Sequence, residues 1–189
     1  MYELLYKYFA KKTAIGRVKF EEISSFFKPI NAGRNEILLS EGQTCKFFLF
    51  VNRGCIRFYS INDDGIEQTR YFAFEGKFGT ALSSLITQEP SNESIQSVEN
   101  SELLSISRKD LFHLVETVPE VNYVYRDILE MAYTTSQKRI YHLQGEDALS
   151  RLKWLMEYRP MILSRLSSKL VASYLGITPY TLSRLKAKL

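Results

Sequence analysis

Cysteine is scarce in this chain of 189 residues, where Cys45 and Cys55 are the whole supply. Two thiols cannot build a disulfide framework, a four-thiolate zinc site or an iron–sulfur cluster, so a reducing, cytoplasmic setting is the expectation. Histidine is equally rare. His113 and His142 both lie outside the segment 30–107, and that segment therefore lacks the convergent imidazoles of a typical catalytic metal site. Neither histidine neighbours a serine or cysteine in a nucleophile motif, and both read as packing or surface residues rather than haem ligands. No enzyme activity, metal or cofactor is expected. The longest uninterrupted apolar run, Phe47 to Val51, is far short of the ~20 residues that cross a bilayer. The first twenty residues carry Glu3, Lys7, Lys11, Lys12, Arg17 and Lys19, with no apolar block ahead of a cleavage site, so no export signal is expected. With 9 Gly, 5 Pro and 45% hydrophobic residues, the chain is a folded protein and not a low-complexity one.

The net charge of +4 is unevenly spread. From Gly145 to Leu189 eight Lys or Arg face three carboxylates, a net +5, and the rest of the chain is close to neutral. A short basic tail on a neutral body is the distribution expected when one module meets phosphate and the other does something else.

Residues 1–28 show helical spacing of Leu4, Leu5, Tyr8 and Phe9, then of Phe20, Ile23, Phe26 and Phe27. From Ile30 to about Ser107 short runs rich in β-branched and aromatic residues alternate with turn residues, the pattern of an all-β sandwich or barrel. Asn62-Asp63-Asp64-Gly65 separates two such runs and predicts a hairpin, since glycine enters positive φ without steric cost. A helix is predicted over Arg108–Glu116, a long one from Pro119 to about Leu143, and another over Glu146–Tyr158, ended by Pro160. On the long helix Val121, Tyr125, Ile128, Ala132 and Thr135 follow four-three spacing and the stripe drifts to Ser136, Ile140 and Leu143. Such a face either packs on its own domain or pairs with a second subunit, and its length favours the dimer. The expected division is 1–118, 119–144 and 145–189, with a hinge near Gly145.

From Ser167 onward, two short helical patterns flank Leu175-Gly176-Ile177-Thr178. A helix-turn-helix needs a small residue where the backbones approach, a glycine at the turn and apolar residues at inward offsets. Ala172 and Gly176 fill the first two slots, and Val171, Leu175, Ile177, Leu182 and Leu185 fill the rest. Thr178 suits an N-cap and Pro179 a first helical turn. The outward face of the second helix is then Tyr180, Thr181, Ser183, Arg184, Lys186 and Lys188. In such a motif this helix enters the major groove, where Arg184 can read guanine and Tyr180, Thr181 and Ser183 can touch bases or phosphates. Lys169, Lys186 and Lys188 are expected on phosphate, and Thr178 is counted with the DNA-binding set.

A β-roll, a long helix and a C-terminal helix-turn-helix in this order resemble the Crp-Fnr family of transcription regulators. The supporting segments are EILLSEGQTCKFFLFVNRGCIRFYSINDDG (36–65), FEGKFGTALSSL (74–85) and, most specifically, ASYLGITPYTLSRL (172–185). The resemblance implies an α+β protein with a double-stranded, jelly-roll-like β-roll of the cyclic nucleotide-binding type, a dimerisation helix and an all-α DNA-binding domain. It also implies a homodimer on a near-palindromic site in double-stranded DNA, with RNA polymerase as a further partner. The likeness is greatest to compact members that end just after the recognition helix, without a following wing, for which a shallower salt dependence of DNA binding is expected.

The sequence departs from the family in the sensor. Members that bind cyclic nucleotide have a Glu after the Phe-Gly step to hold the ribose and an Arg to grip the phosphate. Here Phe78-Gly79 is followed by Thr80-Ala81, and the arginine's place reads Glu93-Ser94. A carboxylate repels a phosphodiester, so ordinary cyclic-AMP binding is not expected. Phe78, Gly79, Thr80, Ala81, Glu93 and Ser94 remain the candidate effector pocket. Arg57, Arg70 and Lys77 are candidate substitutes for the missing arginine, and amides near Gly79 at a helix start are a candidate anion site. The alternative function is a ligand-sensing or protein-interaction module of the same fold that does not read DNA.

Overall fold

The computed structural model describes residues 1–189. Helices α1 (Glu3–Ala10) and α2 (Arg17–Ser24) come first. The strands are β1 (Lys28–Ala32), β2 (Ile37–Leu39), β3 (Phe47–Arg53), β4 (Ile56–Ile61), β5 (Glu67–Ala73), β6 (Phe78–Gly79), β7 (Ser94–Ser97) and β8 (Ser101–Ser107), with the short helix α3 (Leu82–Thr87) after β6. Helices α4 (Arg108–Thr117), α5 (Pro119–Gly145), α6 (Ala148–Tyr158), α7 (Pro160–Arg165), α8 (Ser168–Leu175) and α9 (Pro179–Lys186) complete the chain.

The strands form two four-stranded sheets, ordered β1-β8-β3-β6 and β2-β7-β4-β5. The first sheet is buried on both faces, which is why β3 reads as an unbroken apolar run instead of an alternating one. Leu49 and Val51 point one way, into a core shared with Ile56, Phe58, Ala73, Ile95 and Leu103 of the roll. Phe48 and Phe50 point the other way, as do Leu104 and Ile106 of β8, into a second core with Leu5, Phe9, Phe20, Ile23, Leu111 and Val121 from the helices. Period-two alternation thus divides one strand between two cores.

The predicted hairpin joins β4 to β5, and Gly65 takes φ +75° while Asp64 does not enter the left-handed region. The loop is accordingly longer than a two-residue turn. The Asn62 side-chain carbonyl accepts the Ile66 amide at 2.8 Å and closes it.

Tertiary contacts gather the chain into two compact units, residues 1–60 with 71–130, and residues 61–70 with 131–189. The long helix is shared between them, and the hairpin tip is grouped with the C-terminal helices. Pro160, expected to stop a helix, opens α7 at its first turn, a position where its missing N–H costs nothing.

Candidate nucleic-acid interface

Each requirement of the C-terminal motif is met by an identifiable local interaction. The Ser167 hydroxyl caps α8, and Gly176 ends it at φ +67°, where a side chain would be strained. The Ile177 amide then donates back to the Ala172 carbonyl at 3.1 Å, closing the turn. Thr178 Oγ1 accepts the Thr181 amide at 3.1 Å and lies 2.9 Å from Thr181 Oγ1, so α9 starts in one register. Val171, Ala172, Leu175 and Leu182 are buried, while Ile177 and Leu185 are half-buried.

The opposite face is open. Tyr180 is 71% exposed, and Ser183, Arg184, Lys186, Lys188 and Lys169 are exposed with it. The Arg184 guanidinium lies 5.7 Å from the Tyr180 ring centroid, which keeps both side chains on the outer face of α9. The Thr178 and Thr181 hydroxyls are engaged in the cap, so the groups free to meet a ligand centre on Tyr180, Ser183 and Arg184.

Two side chains that sequence reasoning passed over, Ser173 and Arg139, hold α8 in place. The Ser173 hydroxyl donates to the Glu67 carbonyl at 2.8 Å and accepts the Thr69 amide at 2.9 Å. Arg139 donates to the Thr69 and Tyr174 carbonyls, both at 2.8 Å, and its guanidinium sits 4.2 Å from the Tyr174 ring centroid. Burial lowers the Arg139 pKa from its ordinary value, yet guanidinium remains charged at any physiological pH. Its neighbours one turn away, Thr135, Ser136, His142 and Leu143, are mixed in character, so no pattern in the sequence singled it out.

The sensor residues separate by strand alternation. Gly79 faces into the roll, where a Cβ would come within 2.6 Å of the Phe58 ring. Phe78 faces the other way, against Tyr8, Phe48 and Phe50, with ring centroids 4.9–5.2 Å away; its assignment to an effector pocket is therefore corrected. Thr80 donates its hydroxyl to the Phe47 carbonyl at 2.8 Å, and Ser94 Oγ accepts the Glu41 amide at 2.9 Å. Ala81 is buried and Glu93 half-buried. Arg57 is also corrected as a substitute for the phosphate-gripping arginine. It lies on the face of β4 opposite Ile56 and Phe58, where its Nε donates to Gln96 at 2.7 Å and its guanidinium stacks 3.9 Å from the Tyr59 ring centroid. Arg70 is exposed at the hairpin and Lys77 half-buried in the turn before β6. The candidate anion site near Gly79 rests on α3, a helix of 6 residues without a side-chain cap.

The long-helix stripe also divides. Val121 is 4% exposed, and Tyr125 and Ile128 pack beside it on the core of their own domain. The Tyr125 ring meets Phe112 edge-on at 5.9 Å. Val121 thus faces its own domain, while Tyr125 and Ile128 stay half-buried at the margin of that core. Ala132 is exposed and Thr135 half-buried. A different line of residues, Tyr133, Ser136, Ile140 and Leu143, keeps three-four-three spacing and is exposed, with Tyr133 at 67%.

Residues 29–118 match the family model of the cyclic nucleotide-binding domain. Solved structures extend the likeness across the roll and the C-terminal helices. FixK2 from Bradyrhizobium japonicum is 17% identical, with 86% of this chain and 84% of that one covered and a TM-score of 0.73. The c-di-GMP responsive global regulator CLP of Xanthomonas campestris is 16% identical over 92% of this chain and 91% of its own, with a TM-score of 0.75. The chain has the Crp-Fnr fold. The catabolite activator protein of Thermus thermophilus shares that fold at 19% identity, covering 93% of this chain and 84% of that one, with a TM-score of 0.60. No curated protein matches the sequence. The Crp-Fnr architecture accounts for a roll joined by one long helix to a helix-turn-helix. No helix is long and apolar enough to cross a membrane.

Proposed function

We propose that this protein is a DNA-binding transcription regulator that acts as a homodimer, with α9 of each subunit in the major groove of a near-palindromic site. The observation that carries this reading is the exposed face of α9, where Tyr180, Ser183, Arg184 and Lys186 stand clear of the protein on a helix fixed by its Thr178 cap. Arg184 is the residue suited to read a base edge through its planar fork, and Lys169, Lys186 and Lys188 supply phosphate contacts. Tyr133, Ser136, Ile140 and Leu143 form the seam between the two copies, since heptad-like spacing lets one helix present the same residues to its twin. RNA polymerase is the further partner.

The roll is proposed not to bind cyclic AMP in the ordinary way. Glu93 stands where the family's arginine is expected, the Thr80 and Ser94 hydroxyls are already bonded to the main chain, and Phe58 covers Gly79. Nothing in this arrangement supplies a charged fork for a phosphodiester.

Selection of bound fragments from random duplex DNA, followed by footprinting, tests the reading. The expected result is a two-fold symmetric footprint with half-sites ~34–36 Å apart. Absence of binding at low salt, or a footprint without symmetry, overturns it. Calorimetric titration with cyclic AMP is expected to give no saturable heat.

A further inference from the structure

The C-terminal unit carries an open cavity of about 590 Å³ bounded by α5, α6 and the end of α8. Small-molecule sites commonly occupy ~300–1,000 Å³. The chemistry of this wall is one-sided. Lys138, Arg151 and Arg159 line it and no carboxylate does. Two acids stand just outside the wall: Glu146 Oε1 lies 2.8 Å from His142 Nδ1 while its Oε2 is buried without a hydrogen-bond partner, and Glu157 is hydrogen-bonded to Tyr158.

Two arginines differ in what remains for a ligand. Arg139 also lines the cavity, but its guanidinium already serves the Thr69 and Tyr174 carbonyls. Arg151 has given Nη1 to the Glu146 carbonyl at 2.8 Å, and its Nε is buried with no hydrogen-bond partner. A buried donor on a charged group is costly to leave unmet and is a reason to look for an acceptor from outside the chain.

The rest of the wall is aromatic. Trp154 and Tyr158 both line the cavity, their ring centroids 6.0 Å apart and their planes inclined by 31°. His142 lies 4.6 Å from the indole centroid. Flat rings beside fixed cations select for a molecule that is itself flat and negatively charged: stacking rewards the ring, and a charge-assisted hydrogen bond rewards the anion.

We propose that this cavity is a binding site for a small aromatic acid, its anionic group meeting Arg151, Arg159 and Lys138 and its ring lying on Trp154 and Tyr158. The site is built from the C-terminal helices alone and is distinct from the β-roll. It does not depend on DNA recognition, and the binding test contains no DNA, so failure of either reading leaves the other standing.

Trp154 is the sole tryptophan of the chain, so its fluorescence reports on the cavity wall in the full-length protein. Four probes separate the two halves of the proposed chemistry: benzoate, phenyl phosphate, benzyl alcohol and inorganic phosphate. A saturable change is expected with benzoate or phenyl phosphate at concentrations about tenfold below those needed for the alcohol or the bare ion. The tighter of the two aromatic anions identifies the headgroup. Arg151→Gln is expected to weaken binding about tenfold. Lys138→Gln, at an exposed helix position that leaves the Glu146 contact intact, is expected to weaken it about threefold. No saturable response to either aromatic anion overturns the proposal, as does equal affinity for inorganic phosphate or unchanged affinity in both variants. A second subunit filling the cavity would produce the first of these outcomes.

Discussion

The hydroxyl of Ser173 lies 2.9 Å from both the amide nitrogen and the hydroxyl of Thr69. A residue of α8, the helix that supports α9, is thereby fastened to the β4-β5 hairpin tip 104 positions earlier in the chain. Thr69 is 1% exposed, so water does not readily replace a lost partner. Ser173→Ala removes the acceptor for the Thr69 amide and the donor to Glu67. The expected cost is ~1–3 kcal/mol of local stability, with faster hydrogen exchange at Thr69. Unchanged exchange at that amide would show that the contact is not maintained in solution.

Replacement of Arg184 by Ala separates base reading from phosphate binding. If Arg184 reads a base, the variant loses ~1–3 kcal/mol on the selected site and discriminates less at one position per half-site. Lys186→Ala is expected to weaken all sequences alike and to flatten the salt slope by about 0.9. Affinities measured on selected and scrambled duplexes at several salt concentrations distinguish the two. A uniform loss for Arg184→Ala would reassign that residue to the phosphate backbone.

The proposed seam on α5 is open to a charge test. Ile140 is 43% exposed in the single chain, and in the proposed dimer an aspartate there would meet its own copy across the two-fold axis. Ile140→Asp is expected to shift the sedimentation profile from dimer to monomer at micromolar concentration while leaving the helical content unchanged. Val121→Ala acts differently. It opens space in a core at a 4% exposed position and is expected to lower stability by ~1–3 kcal/mol without dissociating the subunits.

Asp147 caps α6 by accepting the Ser150 amide at 2.8 Å. That bond, with a side-chain contribution from Ser150, holds its carboxyl below the usual carboxylate range. A folded-state pKa below the unfolded one means that the cap contributes above the unfolded value of about 4 and is lost as pH falls through the folded value. Thermal unfolding of the wild type is therefore expected to move to lower temperature below about pH 4. Asp147→Asn keeps a cap without the titration, and its curve is expected to lose this component of the pH dependence. Parallel pH profiles for the two proteins would contradict the assignment.

Local signals determined what the sequence could settle alone. Runs of β-branched and aromatic residues between turn residues placed the strands, Gly65 and Gly176 marked backbone that must enter positive φ, and the Thr178-Pro179 step fixed the start of α9; each of these acts over a few residues. The same locality exposed Tyr180 and Arg184, since the inward offsets of Leu182 and Leu185 leave no other face to them.

What required the tertiary structure was the choice between surfaces of similar character. Val121 and Ile140 lie on one apolar helix, and only the packing of α1 and α4 decides that the first faces its own core and the second does not. Phe78 and Gly79 are adjacent, yet strand alternation sends them into different environments once β6 is paired. The bonds of Arg139 and Ser173 to the hairpin join residues tens of positions apart, and no periodicity in a sequence encodes a hydrogen bond to a main-chain carbonyl that distant. Burial and long-range polar contacts are properties of the assembled chain, because they depend on which surfaces remain for water after every element has been placed.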